Sequence, residues 1–205
     1  MPQLKYLLHA VAVVWITSLL IATSATAGSA SILIQKMTNE AELFLNNRTI
    51  SSDVRTKKLR DILRDAFNQQ TMAQSIMGRY WRKASKAQRS ILAPLLIDYI
   101  INSYAGQIDP VDGEIFFTVK GERQLSNRTM VDTYVVRPPS MPVSITWQIE
   151  SMNDQPAVTD VIVEGISLII NQRADFASVI RQHGGIDGLI RLLHKRVGKA
   201  NDPDS

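Results

Sequence analysis

The residues best placed to do chemistry are three charges that follow position 159. In DVIVEGISLIINQRADF (160–176), Asp160 and Glu164 lie four apart in a strand-like run, which turns both to one face with Ile162 between them. Arg173 follows nine residues after Glu164, where the pattern has become helical. Two carboxylates beside a cation are raw material for general acid–base catalysis. They are equally raw material for a clamp, in which a guanidinium folds back onto a carboxylate as a bidentate pair. The clamp is the preferred reading, because no histidine or activated nucleophile accompanies the three. Ser167 stands at the strand-to-helix corner, but Gly165-Ile166-Ser167-Leu168-Ile169 lacks the closing glycine of a nucleophile elbow. A serine there reads as the N-cap of the next helix.

Other chemistries are excluded by what is missing. The chain has no cysteine, hence no disulfide framework, thiol nucleophile or cysteine metal site. Its histidines are His9, His183 and His194; the last two are eleven apart and match no metal-ligand spacing. There is no Walker motif and no GxGxxG. No metal and no cofactor is expected. The net charge is +4, from 23 Lys and Arg against 19 Asp and Glu. The basic residues run in two groups, Arg55, Lys57, Lys58, Arg60, Arg64 and then Arg79, Arg82, Lys83, Lys86, Arg89. They read as solvated helix faces; a surface for anionic headgroups or an acidic partner is the second reading. Nucleic acid is not an expected partner, since no recognition motif is present.

The elements that must position these residues fall into three blocks. Residues 1–27 read as a secretory signal: Lys5 in the leading region, a mostly apolar run from Leu7 to Ala22, then Ala25-Thr26-Ala27 as a small-x-small cleavage site. An uncleaved membrane anchor is the alternative, although the apolar run is short for a span of about 20 residues. The expected mature domain is 28–198, with 199–205 as a flexible tail. Its first block is helical. Ile32, Leu33, Met37, Ala41 and Phe44 form one stripe, and Leu59, Ile62, Leu63, Ala66 and Phe67 a second after a cap at Ser52 or Asp53. Thr71 to Gly78 is a short helix. Ser85 and Gln88 form a capping box for a helix to about Ala105, which Pro94 should kink or split. After Asp109-Pro110 the period changes to two. Glu114–Lys120, Thr129–Arg137, Val143–Ile149 and Val158–Glu164 read as four strands separated by turns. Two helices close the chain, Ser167–His183 and Ile186–Val197, with Gly184-Gly185 between them. Segregated helices and antiparallel strands mean α+β.

Three stretches together resemble a known family: MGRYWRKASKAQR (77–89), DYIINSYAGQID (98–109) and DVIVEGISLIINQRADFASVIRQHGGIDGLIRLLHKRV (160–197). Over roughly residues 30–198 the chain is similar to the MlaC, or toluene-tolerance auxiliary, family, which includes a hopanoid-associated branch. The resemblance implies a monomeric periplasmic carrier rather than an enzyme. A curved four-stranded sheet and its helices would enclose an apolar cavity that holds the tails of a phospholipid cargo. The implied partners are an outer-membrane lipoprotein–porin complex and the MCE-domain subunit of an inner-membrane ABC transporter. The chain departs from the family in having aliphatics and Pro94 at Ile91–Leu96, and Pro156-Ala157-Val158-Thr159 where an aromatic is common. These smaller side chains leave a hopanoid-type cargo as an alternative, and a membrane-anchored assembly protein remains a further one. On this reading the lipid-binding residues are Leu95, Tyr99, Phe117, Val119, Val131, Val135, Ile145, Trp147, Val161 and Val163. They are the strand alternates and helix residues that should face one another.

Overall fold

The computed structural model describes residues 28–105, 113–152 and 155–200. The expected export signal, the Asp109-Pro110 turn, Asn153, Asp154 and the last five residues lie outside them. Among the described residues five helices come first: α1 (Ser29–Leu45), α2 (Ser52–Ala66), α3 (Gln69–Met77), α4 (Arg79–Lys83) and α5 (Lys86–Ala105). The strands follow as β1 (Phe116–Leu125), β2 (Arg128–Val136), β3 (Val143–Met152), β4 (Gln155–Val163) and the two-residue β5 (Ile166–Ser167). Helices α6 (Leu168–Gln182) and α7 (Gly185–Ala200) close the described chain. The architecture is α+β, with one antiparallel sheet in the order β1-β2-β3-β4-β5. The short β5 is an addition to the four expected strands. Helix α7 continues to Ala200, so the first residues expected in the tail are helical.

Local chemistry accounts for the helix starts. Ser51, one residue earlier than expected, caps α2 by accepting from the Val54 N–H. Ser85 and Gln88 make the reciprocal box, with Gln88 N donating to Ser85 Oγ at 3.1 Å and Ser85 N to Gln88 Oε1 at 2.9 Å. Pro94 does not split α5, which runs on for 20 residues. The helix packs on α2, α3 and α7, and this burial overrides the lost backbone bond.

The register of the sheet stacks apolar residues in rungs. Phe117, Val135 and Val143 share one rung; Val119, Thr133, Ile145 and Val163 the next; Val131, Trp147 and Val161 the third. Ile149 and Val158 follow, beyond an irregularity at Gln148 and Ile149 in the pairing with β4. Both sheet edges are covered at least in part, which blunts their unpaired backbone groups. On the β1 side, Glu42 Oε2 accepts from Phe117 N at 3.0 Å. The Asn46 side chain also exchanges two 2.8 Å bonds with the backbone of Ile115. On the β4 side, Phe67 bridges Val158 in parallel, and Asn68 N donates to the Val158 carbonyl at 2.8 Å.

Candidate functional site

The inner face of the sheet and helices α1, α2 and α5 surround a cavity of about 420 Å³. The sheet contributes Phe117, Val135, Val143, Ile145, Trp147, Val161 and Val163. Opposite them stand Met37, Thr38 and Ala41 of α1, Leu59, Ile62 and Leu63 of α2, and Ile100, Ile101 and Tyr104 of α5. Phe67, Ile115 and Leu168 complete the apolar wall. Of the described lining residues, only Ser140, Met141 and Val143 are exposed, so the cavity opens beside the turn between β2 and β3. The far end is solid: Ile149 and Val158 are 2% and 0% exposed and do not line the space.

Two polar side chains of this wall, Thr38 and Trp147, are satisfied within the protein. Thr38 donates its hydroxyl to the Ile34 carbonyl at 2.9 Å, so its polar end is taken up by its own helix. Trp147 donates its indole N–H to Thr133 Oγ1 at 3.0 Å, and Thr133 donates to the Ile145 carbonyl at 3.2 Å. The Trp147 donor is therefore satisfied within the sheet. Arg137, half-buried just beyond the end of β2, is the only charged side chain on the lining among the described residues. Such a site can bury apolar surface and meets the size range of ligand cavities, about 300–1,000 Å³. Among the described residues no group of three or more His, Asp or Glu could hold a metal. Tyr80, which does not line the cavity, has its phenol pKa lowered, first by the hydrogen bond from Arg79.

Six of the ten residues expected to face the cargo line the cavity: Phe117, Val135, Ile145, Trp147, Val161 and Val163. Four do not. Val131 is fully buried in the sheet's packed centre, and Val119 is half-buried against the core without reaching the lining. Leu95 is buried in the helical core. Tyr99 meets Phe176 edge-on at 5.5 Å, and its hydroxyl accepts from Arg196 at 2.9 Å. The helical period explains the shift: Ile100, Ile101 and Tyr104 form the cavity stripe of α5, and Tyr99 lies about 100° round from Ile100. The walls from α1 and α2 are additions to the expected site. Met37, Ala41, Leu59, Ile62, Leu63 and Phe67 all belong to stripes visible in the sequence, but nothing in a stripe says that it faces a space.

The charge cluster of Asp160, Glu164 and Arg173 does not form as expected. Asp160 is 8% exposed and caps the start of α6. Its Oδ1 accepts from Ile169 N at 3.1 Å and from Val161 N at 2.8 Å, and its Oδ2 from the Ser167 hydroxyl. Ser167 Oγ in turn accepts from Ile170 N at 3.1 Å, so Ser167 is the N-cap. Glu164 has left the strand. It forms a two-residue hairpin turn with Gly165, both at positive φ (50° and 81°), as a type I′ turn requires. There its carboxylate accepts from the Ser144 backbone N–H. Arg173 reaches neither carboxylate and instead donates twice to the Ser75 carbonyl, once from Nε at 2.8 Å. That carbonyl lies in the last turn of α3, where helix carbonyls lack intrahelical partners. Each of the three charges makes its hydrogen bonds at a different joint of the fold.

Fold and cavity together define an α+β protein whose sheet and helices surround an apolar cavity with its mouth beside the β2–β3 turn. The chain belongs to the MlaC family: the family model described as MlaC protein matches residues 35–195. A phospholipid-binding protein from Ralstonia solanacearum, solved in complex with a phospholipid, has the same fold. It is 20% identical with a TM-score of 0.73, over 85% of this chain and 100% of that one.

Proposed function

We propose that this protein is a periplasmic carrier that holds the acyl tails of a phospholipid in its cavity and ferries the lipid between membranes. The observation that carries the reading is the apolar cavity, solid at one end and open beside the β2–β3 turn. Membership of the MlaC family and the phospholipid bound by the Ralstonia protein support it. A lipid tail is excluded from water by about 0.8 kcal/mol per CH2, so a tail of about 15 carbons gains on the order of 12 kcal/mol inside a dry sleeve. The carrier would exchange its cargo with an outer-membrane lipoprotein–porin complex and with the MCE-domain subunit of an ABC transporter. No histidine or carboxylate stands among the described lining residues to activate a nucleophile, which favours a carrier over an enzyme.

Native mass spectrometry of the chain purified without detergent, with lipid analysis of an organic extract, tests this. A bound diacyl phospholipid supports the proposal. A polycyclic lipid keeps the carrier and changes its cargo. A protein that holds no lipid and takes none from vesicles would falsify the carrier reading.

A further inference from the structure

Large apolar side chains left in water gather at one end of the sheet. Among the described residues eleven are exposed, and five of these, Phe116, Tyr134, Met141, Val143 and Ile166, belong to the strand ends and the turn around the cavity mouth. Met141 is 84% exposed and lines the cavity itself, as does Val143. Ile166 pairs with Val163, so it prolongs the inner rung of Thr133, Ile145 and Val163, yet it is 64% exposed. The apolar wall therefore continues outward on the β3 and β5 side of the mouth. Its position is fixed by the backbone. Glu164 N donates to the Ser144 carbonyl at 3.0 Å, and Ser144 N donates to the Glu164 carboxylate, which ties the start of β3 to the turn before β5. Behind this rim, on the outer face of the sheet, Lys120 Nζ lies 5.2 Å from the centre of the Tyr134 ring.

We infer that this rim docks directly on a lipid bilayer, with Met141, Val143 and Ile166 entering the hydrocarbon boundary and Tyr134 and Lys120 lying at headgroup level. This rests on the carrier reading above. A tail that crosses water between bilayer and cavity loses its burial on the way, and a rim seated in the bilayer removes that aqueous step. Single exposed apolar residues are ordinary on a protein surface, whereas a group of them joined to a cavity mouth marks a contact site. The order of side chains away from the mouth is that of an interfacial segment: an apolar tip, then an aromatic ring at headgroup level, then a lysine whose charge reaches water along its stem. Three apolar tips are few beside the roughly 20–30 residues a side of a stable protein interface, while shallow insertion draws on each of them separately. The nearby carboxylates do not oppose it. Glu164 is turned back onto the Ser144 N–H, and Glu114, two residues before Phe116, is exposed to water.

The chain has no cysteine, so one introduced thiol can carry an environment-sensitive fluorophore at a single place. The test labels the full chain as Ile166→Cys or as Leu125→Cys, the latter an exposed apolar residue at the opposite end of β1. Each is mixed with phosphatidylcholine vesicles containing a lipid spin-labelled in its acyl chain. The label at 166 should be quenched and the label at 125 should not, and the quenching should vanish when the vesicles are sedimented. In unlabelled protein Ile166→Asp, which alters no lining residue, should slow lipid uptake by about tenfold or more. The amount of lipid bound at the end point should match the wild type, and Leu125→Asp should leave the rate unchanged. Equal quenching at both positions, or none at 166 while lipid is still taken up, overturns the rim and leaves the carrier reading intact. Quenching at 166 that persists after the vesicles are removed comes from bound cargo and overturns insertion. A change at 166 that needs no vesicles and grows with protein concentration assigns the rim to a second copy and overturns it as well. Vesicles that quench the label at 166 but lose no lipid to the protein overturn the carrier reading alone.

Discussion

The two ends of the sheet's inner face have the same apolar character and opposite packing. Ile149 and Val158 lie at one end, fully buried among side chains. Ile145, Val163, Val135 and Phe117 lie toward the other end, half-buried and facing the cavity. The rungs on both sides belong to the same paired strands, so the difference does not come from the sheet. It comes from what stands opposite. At the packed end, the α2–α3 junction runs close enough for Phe67 to bridge Val158, and α3 and α6 contact β4. Toward the mouth, α1, α2 and α5 stand back far enough to leave about 420 Å³. An apolar rung can therefore serve stability or cargo, according to how closely the helical layer approaches it.

Substitutions that treat the two ends alike should break this contrast or sharpen it. The largest effect is expected at the packed end. Ile149→Ala should lower unfolding free energy by about 2–5 kcal/mol in a denaturant melt, because the deleted atoms leave a hole in close packing. Lipid bound per folded molecule should stay at the wild-type level. At the hollow end, Val163→Phe projects bulk into the cavity rather than into packed atoms. It should reduce lipid uptake from vesicles by about tenfold or more, the loss expected when roughly 1.4 kcal/mol of apolar burial is displaced. Its melting temperature should remain close to that of the wild type. A large loss of stability in this variant would show that the wall is packed there after all.

Arg173→Ala comes next in size. It removes both donors from the Ser75 carbonyl and should destabilise by about 1–2 kcal/mol by thermal melt. Unchanged melting with lost lipid transfer would give Arg173 a functional role instead. The smallest effect is expected for Val163→Ala, below about 1 kcal/mol, since a side chain facing a space has already lost partner atoms on that side. If Val163→Ala and Ile149→Ala prove equally damaging, the distinction between the two ends fails.

Several local features are legible in the sequence. The capping box at Ser85 and Gln88 and the Ser167 cap depend only on residues three apart. The inward alternation of Val143, Ile145, Trp147 and Ile149 follows from the two-residue period of a strand. The hairpin at Glu164-Gly165 is hidden in the sequence because its first residue is not a glycine, and its φ of 50° is held by pairing with Ser144. The place of Tyr99 is hidden too, because α5 is apolar on more than one face and its stripe does not say which neighbour each residue meets.

Sequence alone determined the order of helices and strands, the face of each strand that turns inward, and the resemblance to a family of lipid carriers. These rest on short-range periods, caps and motifs, which are properties of neighbouring residues. Tertiary structure decided that Arg173 grips the Ser75 carbonyl and that Asp160 serves the start of α6. It also decided that Met37, Leu59 and Ile100 look across a cavity while Ile149 and Val131 do not. The reason is one of distance: a wall and a core face bury the same apolar atoms, and only the separation of the layers that carry them makes one into the other.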